Sequence, residues 1–373
     1  MRIVNLELQR FRNYENLLLN DLDNLVIFCG PNAAGKTNIL EAIHLLTTTT
    51  SFRHPHINQL IKQGCENARI QANLSDGNRS ITTALAMEEG KKKFTINGKA
   101  KSSSEVKGIL PAVSFVPDDL EIAKKSSSLR RNTLDNLGVQ LSKSYDIVHK
   151  DYEKALRYKN RLLKDESPQP LVDAINETLI PVASQLYCFR RSLFERIIPL
   201  VKANYDSISR TEEHFDASYL PSWQKVQLKF DPSYTPEDVD STLKKDQVST
   251  YIYDALQTFG PKEAQSTRSL IGPHNDQITF YLENQDSSSY ASQGQQRSIV
   301  LAWKLAEVQL VQQVLGVDPV LLLDDVMSEL DESRRSLLIE TVDSTAQTFI
   351  TATDLTPFPE SLKSHAQIIE LGK

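Results

Sequence analysis

A chain of 373 residues has room for a sizeable core and about two domains. Cys29, Cys65 and Cys188 lie far apart without metal-ligand spacing, which argues against a disulfide framework or zinc site. A formal net charge of −6 argues at first against a nucleic-acid protein, and the lack of any run near the roughly 18 apolar residues of a membrane span, or of a signal-peptide pattern, leads to an expected cytoplasmic location with no membrane contact.

Residues 1 to about 117 read as strands and hairpin turns around one conspicuous loop. Leu25-Val26-Ile27-Phe28-Cys29 is an apolar run of strand length. Gly30-Pro31-Asn32-Ala33-Ala34-Gly35-Lys36-Thr37 then fits G-x-x-x-x-G-K-[ST], and Asn38 to Leu46 carries apolar residues at helical spacing. Strand, glycine loop and helix together make a phosphate cradle: successive N–H groups point inward at the positive end of a helix. The candidate cofactor-binding set is therefore Gly30, Pro31, Asn32, Ala33, Ala34, Gly35, Lys36, Thr37 and Asn38, with ATP and Mg²⁺ as cofactors. Lys36 would place its charge over the β- and γ-phosphates, a catalytic role, and the Thr37 hydroxyl would ligate the metal. Lys91-Lys92-Lys93 belongs to a hairpin whose turn is Asn97-Gly98 or lies near Glu89-Gly90.

From Pro117 to about 265 the pattern turns helical. Between Lys124 and Lys164 cations crowd: Lys124, Lys125, Arg130, Arg131, Lys143, Lys150, Lys154, Arg157, Lys159, Arg161 and Lys164. By itself such a run is a solvated face as readily as a nucleic-acid contact. Glu166-Ser167-Pro168-Gln169-Pro170 separates two helices of an antiparallel arm. Tyr219 to Pro236, with Pro221, Pro232 and Pro236, reads as irregular, and helical spacing resumes from Val239 to Leu256.

From about Leu270 the chain returns to the first domain. Tyr290 to Ser298 opens a helix with Ser, Gly and amide donors, either an ordinary cap or an anion site. Val320-Leu321-Leu322-Leu323-Asp324-Asp325 reads as a buried parallel strand delivering acids at its C-terminal end. Asp324 is the second candidate metal ligand, and Asp325 the candidate general base that polarises attacking water. Strands of these two kinds are expected side by side in one sheet, yet about 290 positions separate Lys36 from Asp324. The expected architecture is α/β: a split ATPase head, residues 1–117 and 266–373, with a mostly helical arm, 118–265, inserted into it.

Ser292-Gln293-Gly294-Gln295, together with the phosphate loop, the paired acids and Ser328-Glu329-Leu330-Asp331, resembles the ABC-type P-loop ATPase head. Phe11-Arg12-Asn13-Tyr14-Glu15, Ser51-Phe52-Arg53, Pro117-Asp118-Asp119-Leu120, Arg130-Arg131 with Asp135, Gly272-Pro273-His274 and Ser292 to Arg297 narrow the likeness to the RecF family, related to SMC heads. The resemblance implies that Ser292, Gly294 and Gln295 bind the nucleotide held by a partner chain, with Ser292 catalytic in trans and Asp331 near the seam of an ATP-dependent homodimer. It also implies DNA, duplex and at gap junctions, as a partner, with Lys124, Lys125, Arg130, Arg131, Lys154 and Arg157 as candidate contacts. The implied biology is DNA replication and recombinational gap repair with RecR and RecO, in which slow, DNA-stimulated hydrolysis resets the dimer and recombinase is loaded.

Arg12 and Asn13, and likewise Arg53, either reach the nucleotide or form a surface turn. His274 either bonds a phosphate or holds a loop. Two departures from the family pattern stand out: Ala33, where many members carry Gly, and Asn275, where the usual residue is Arg. An ABC-type subunit driving a membrane or other partner is the alternative, but the Q-loop Gln and switch His it would show are not found. A kinase or nuclease would not need the Ser292 signature.

Overall fold

Alternation of apolar and polar residues builds the N-terminal strands. In Asn67–Ser75, Ala68, Ile70, Ala72 and Leu74 are buried while their neighbours are not, the pattern of a sheet with one packed face. The structure, a computed structural model, describes residues 1–124, 127–209, 213–236, 243–344 and 347–372. In chain order its strands are β1 (Arg2–Phe11), β2 (Tyr14–Leu19), β3 (Leu25–Cys29), β4 (Asn67–Ser75), β5 (Ser80–Glu88), β6 (Lys91–Ile96), β7 (Lys99–Lys101) and β8 (Ala112–Phe115). There follow β9 (Phe215–Leu220), β10 (Gln277–Leu282), β11 (Gln285–Asp286), β12 (Val320–Asp324), β13 (Gln347–Ala352) and β14 (Gln367–Glu370).

The chain divides into two compact units, 1–120 with 300–373, and 121–299. The first holds two sheets. One is antiparallel, in the order β2-β1-β4-β5-β6-β7; the other is parallel, in the order β14-β3-β13-β12-β8. Both hairpin turns considered for the lysine cluster exist. Glu89-Gly90 joins β5 to β6 and Asn97-Gly98 joins β6 to β7, each with positive φ at both residues, as a two-residue type I′ turn requires. The helix Lys36–Thr48 packs against strands of both sheets and buries Ile39, Leu40, Ala42, Ile43, Leu45 and Leu46. Every residue of β12 and β13 is buried, as in a parallel sheet covered on both faces. Gln347 links the sheets: its amide donates to the carbonyls of Ile3 and Asp23, and its oxygen accepts from Ile3 N–H.

In the second unit the helix Lys143–Lys164 packs on the 41-residue helix Gln169–Ser209, which in turn packs on Lys245–Ser266. The break expected at 166–170 falls between the first two of these. Pro170 sits in the opening turn of the long helix, where a missing N–H removes no intrahelical bond. An antiparallel sheet, β11-β10-β9, completes the unit. Three expectations are revised here. The segment read as irregular contains β9 and a helix, Ser222–Phe230: Pro221 serves as its N-cap, and Pro232 and Pro236 lie beyond its end. β10, with the Gly272-Pro273-His274 turn before it, packs in the second unit, so the chain re-enters the first unit at Val300, inside the helix Gln293–Leu315, rather than at residue 266. Finally, β3 and β12 share a sheet but are not neighbours, because β13 lies between them.

Candidate nucleotide site and nucleic-acid face

Backbone geometry explains the glycines of the phosphate loop. Gly35, at φ 98°, caps the helix start, and a Cβ there would lie 2.5 Å from the Asn13 amide nitrogen and 2.7 Å from the Tyr14 hydroxyl. At Gly30 a Cβ would lie 2.3 Å from the Leu371 carbonyl oxygen. Lys36 folds back so that Nζ donates to the carbonyls of Gly30, at 2.6 Å, and Pro31, at 3.0 Å. The ammonium is thus held inside the loop it serves. Asn38, one residue into the helix from Thr37, donates to Asn13 Oδ1 at 2.8 Å.

Across the parallel sheet the second half of the site meets the first. Thr37 Oγ1 donates to Asp324 Oδ1 at 2.7 Å. Thr351, on the intervening β13, donates to the same oxygen at 2.8 Å, and its Oγ1 accepts the Asp325 N–H at 2.9 Å. Asp325 turns out of the strand in the left-handed region at φ 55°, with its carbonyl accepting from Ser328 Oγ. Burial pushes its carboxyl up from the ordinary value. Lys36 opposes that, while Asp324 and Glu329 add to it. A carboxyl so raised is a better proton acceptor than a free surface acid, as a base beside a phosphate site needs. Thr37 and Asp324 present hard oxygens side by side, which suits Mg²⁺. That ion takes one or two protein oxygens and fills the rest of its octahedron with phosphate and water. Among the described residues no group of three or more His, Cys, Asp or Glu could hold a metal on its own.

The signature belongs to the second unit. Ser292 precedes the helix Gln293–Leu315 and forms a reciprocal capping box with Gln295: Ser292 N–H donates to Oε1 at 2.7 Å, and Gln295 N–H to Ser292 Oγ at 3.2 Å. The Gln295 amide also donates to Glu213 at 2.9 Å. Ser292 and Gln293 are exposed. Asp331, in the first unit, accepts Arg334 N–H at 3.0 Å and so caps the helix Glu332–Ser344.

The basic run separates into buried and exposed members. Arg130 is 3% exposed, and its guanidinium donates to the carbonyls of Ile122, Ala123 and Ile278 and lies over the Phe280 ring. Arg131 donates to the Asp276 carbonyl and to Ser127 Oγ. Lys159 is fully buried, with Nζ 2.7 Å from Glu263. Arg130 therefore leaves the set of DNA contacts, because a donor set satisfied by buried carbonyls has nothing to offer a phosphate; Arg131 is also committed to its own backbone. Lys124, Lys154 and Arg157 are exposed, and Lys125 lies outside the described residues. On the helix Lys143–Lys164 exposed cations recur at helical spacing, Lys143, Lys150, Lys154, Arg157, Arg161 and Lys164, with Ser144, Ile147, Asp151, Glu153 and Tyr158 exposed among them; Lys150, Arg157 and Arg161 pair with Asp146, Glu153 and Asp165. One face thus carries cations along its whole length.

The model of the RecF/RecN/SMC N-terminal domain matches residues 2–368. The DNA replication and repair protein RecF of Thermosynechococcus vestitus is 35% identical, covering 100% of this chain and 96% of its own. RecF of Lactobacillus johnsonii is 33% identical over 95% of this chain and 93% of its own. The chain belongs to the RecF family. The solved structure of the recombination mediator protein RecF-ATPrS in the RecFOR pathway superposes with a TM-score of 0.86 at 27% identity, covering 96% of this chain and 94% of that one. The Smc head domain of Pyrococcus furiosus, at 15% identity and a TM-score of 0.53 over 99% of this chain and 92% of that one, shares the fold. The fold is accordingly the ABC-type ATPase head with a large, mostly helical insertion.

Within this family member the two sequence departures have structural answers. Ala33 adopts φ 67°, the left-handed region that favours glycine. Asn275 is a junction: its amide donates to the Leu270 carbonyl at 2.8 Å, while Lys225 Nζ donates to its carbonyl and to Oδ1, both at 2.9 Å. Of the open alternatives, His274 holds a loop. Its Nδ1 accepts from the Tyr152 hydroxyl, Nε2–H donates to the Ser269 carbonyl, and burial pushes its pKa down to about 4.

Two residues that brace the candidate site carried no reading from sequence. Thr351 gave no signal, since a threonine in an apolar strand is ordinary. Glu41 is fully buried on the phosphate-loop helix, where Arg12 grips it bidentately at 2.7 and 2.8 Å and Ser51 Oγ donates to it at 2.5 Å. Arg53 lies 3.7 Å from Glu41 and donates to Asn38 Oδ1 at 2.9 Å. Arg12 is therefore bound to the helix rather than forming a surface turn. The available signal was Glu41 itself, a carboxylate within the apolar run Ile39 to Leu46.

Proposed function

We propose that this chain is an ATP-dependent DNA-binding protein of DNA replication and recombinational gap repair, and a weak, DNA-stimulated ATPase. The observation that carries the reading is the 2.7 Å bond from Thr37 to Asp324, which joins the two halves of a phosphate site. Lys36 and the loop N–H groups bind the β- and γ-phosphates, and Thr37 and Asp324 hold Mg²⁺. When bound, the ion neutralises phosphate charge. Asp325 takes the proton of the attacking water.

ATP brings two heads together, each exposed Ser292 with Gly294 and Gln295 completing the partner's site; slow hydrolysis opens the dimer. The cationic face of Lys143–Lys164, with Lys124, contacts duplex DNA near gaps. The names of the relatives, RecF of DNA replication and repair and of the RecFOR pathway, support this setting, with RecR and RecO as partners in loading recombinase. Among the described residues no helix is long and apolar enough to cross a membrane.

Sedimentation velocity tests the proposal. The wild type should be a monomer alone, a dimer with ATP–Mg²⁺, and should co-sediment with short duplex DNA in that state. Lys36→Ala should lose ATP binding; Ser292→Arg should keep it and stay monomeric. A Ser292→Arg chain that dimerises normally with ATP would overturn the in-trans role.

A further inference from the structure

The second unit holds a cavity of about 590 Å³ that the phosphate-loop chemistry does not use. Three cations line it, Lys225, Lys229 and Arg268, and among the described residues no carboxylate does. That is a marked imbalance in a chain with net charge −6. Lys225 is half-buried and fixed in position by its two bonds to Asn275, leaving an ammonium proton to donate elsewhere. Burial lowers its pKa, and the neighbouring charges of Arg131 and Lys229 lower it further against the single opposing carboxylate of Asp276. Lys229 and Arg268 are exposed. Beside the cavity Lys262 Nζ sits 3.4 Å from the centre of the Phe230 ring, one of the lining side chains, so a fourth cation is held close by.

Like charges gathered on a wall that no described carboxylate lines are stabilised by an anion, and the oxygens of a phosphate can accept from several such donors together. The volume is that of a site for a small organic ligand.

We propose that this cavity binds a phosphate ester of nucleotide size, with Lys225 donating from the wall and Lys229 and Arg268 from its exposed side. The ester is either a free nucleotide or a phosphodiester of a nucleic-acid strand. None of the phosphate-loop residues lines the site, and of the helix Lys143–Lys164 only Asn160 is among the described lining residues.

Isothermal titration of the full chain carrying Lys36→Ala, which removes the phosphate loop as a competing site, tests this with two probes: AMP, and a five-residue oligothymidylate without terminal phosphates. At least one should bind, and the added double substitution Lys229→Ala/Arg268→Ala should weaken that binding about tenfold or more, the loss of a charge-assisted contact. Binding of AMP alone identifies a free nucleotide, and binding of the oligothymidylate alone a strand phosphodiester. Binding of both identifies the phosphate as the shared determinant. Lys225→Met should reproduce the loss. With Lys36 intact the double variant should hydrolyse ATP at the parental rate, showing that its fold is whole. Failure of both probes to bind, or binding indifferent to the double substitution, overturns the proposal.

Discussion

Ala33 is the residue at which this chain departs most visibly from an easy phosphate loop. It holds φ 67°, where its Cβ crowds the following carbonyl at a cost of about 1 kcal/mol. Ala33→Gly should relieve that strain and raise stability by a few tenths to about 1 kcal/mol, the gain being limited by the entropy glycine brings to the unfolded chain. Urea unfolding monitored by circular dichroism reads the change directly; a destabilised variant would show that the Ala33 methyl contributes packing that outweighs the strain. Lys36, Thr37, Asp324 and Asp325 were legible because each belongs to a short local pattern with one chemical use. Arg130 was misread for the opposite reason: sequence shows a charge but not the carbonyls of Ile122, Ala123 and Ile278 that surround it.

Two elements depend on neutral histidines. His44, on the phosphate-loop helix, bonds the Thr50 carbonyl at 2.7 Å and is pushed by burial down to about 4, and His274 behind Tyr152 is likewise pushed down to about 4. The unfolded chain, with histidine near its ordinary value of about 6.5, binds the protons first. Their contribution is therefore complete above pH 6.5 and is lost as pH falls towards 4. It should amount to about 2 kcal/mol each, less than the full linkage value because both rings keep some solvent contact. His274→Gln should flatten the pH dependence of stability across that window while His44 still titrates; an unchanged slope would show that the His274 ring is not held neutral. At this scale most helices and strands followed from periodicity. The helix Ser222–Phe230 did not, because three prolines within sixteen positions read as breakers until Pro221 is seen to cap it and the others to follow it. β13, placed between the strands of the phosphate loop and the paired acids, is a short mixed run, Gln347-Thr348-Phe349-Ile350-Thr351-Ala352, whose neighbours only sheet order reveals.

For the whole molecule the telling quantity is charge distribution, not its sum. A net −6 coexists with one helical face bearing Lys143, Lys150, Lys154, Arg157, Arg161 and Lys164. Lys154→Ala/Arg157→Ala should weaken duplex binding evenly across sequences and reduce the slope of log affinity against log salt by about 2, near one released counterion per lost phosphate contact. Fluorescence anisotropy over a salt series measures it, and an unchanged slope would remove this face from the DNA contacts. The sequence by itself determined the phosphate loop, the paired acids, the helical insertion and the family likeness, because each rests on residues adjacent in the chain or on a repeating period. Tertiary structure alone decided which cations are exposed and which are buried, as with Lys159 against Glu263. It also decided that Glu41 anchors Arg12, that Thr351 braces Asp324, and that residues 266–299 pack with the insertion. The physical reason is common to all of these: the partners are distant in sequence, and desolvation, which sets what a charge or hydroxyl can do, is a property of the folded surroundings rather than of the residue.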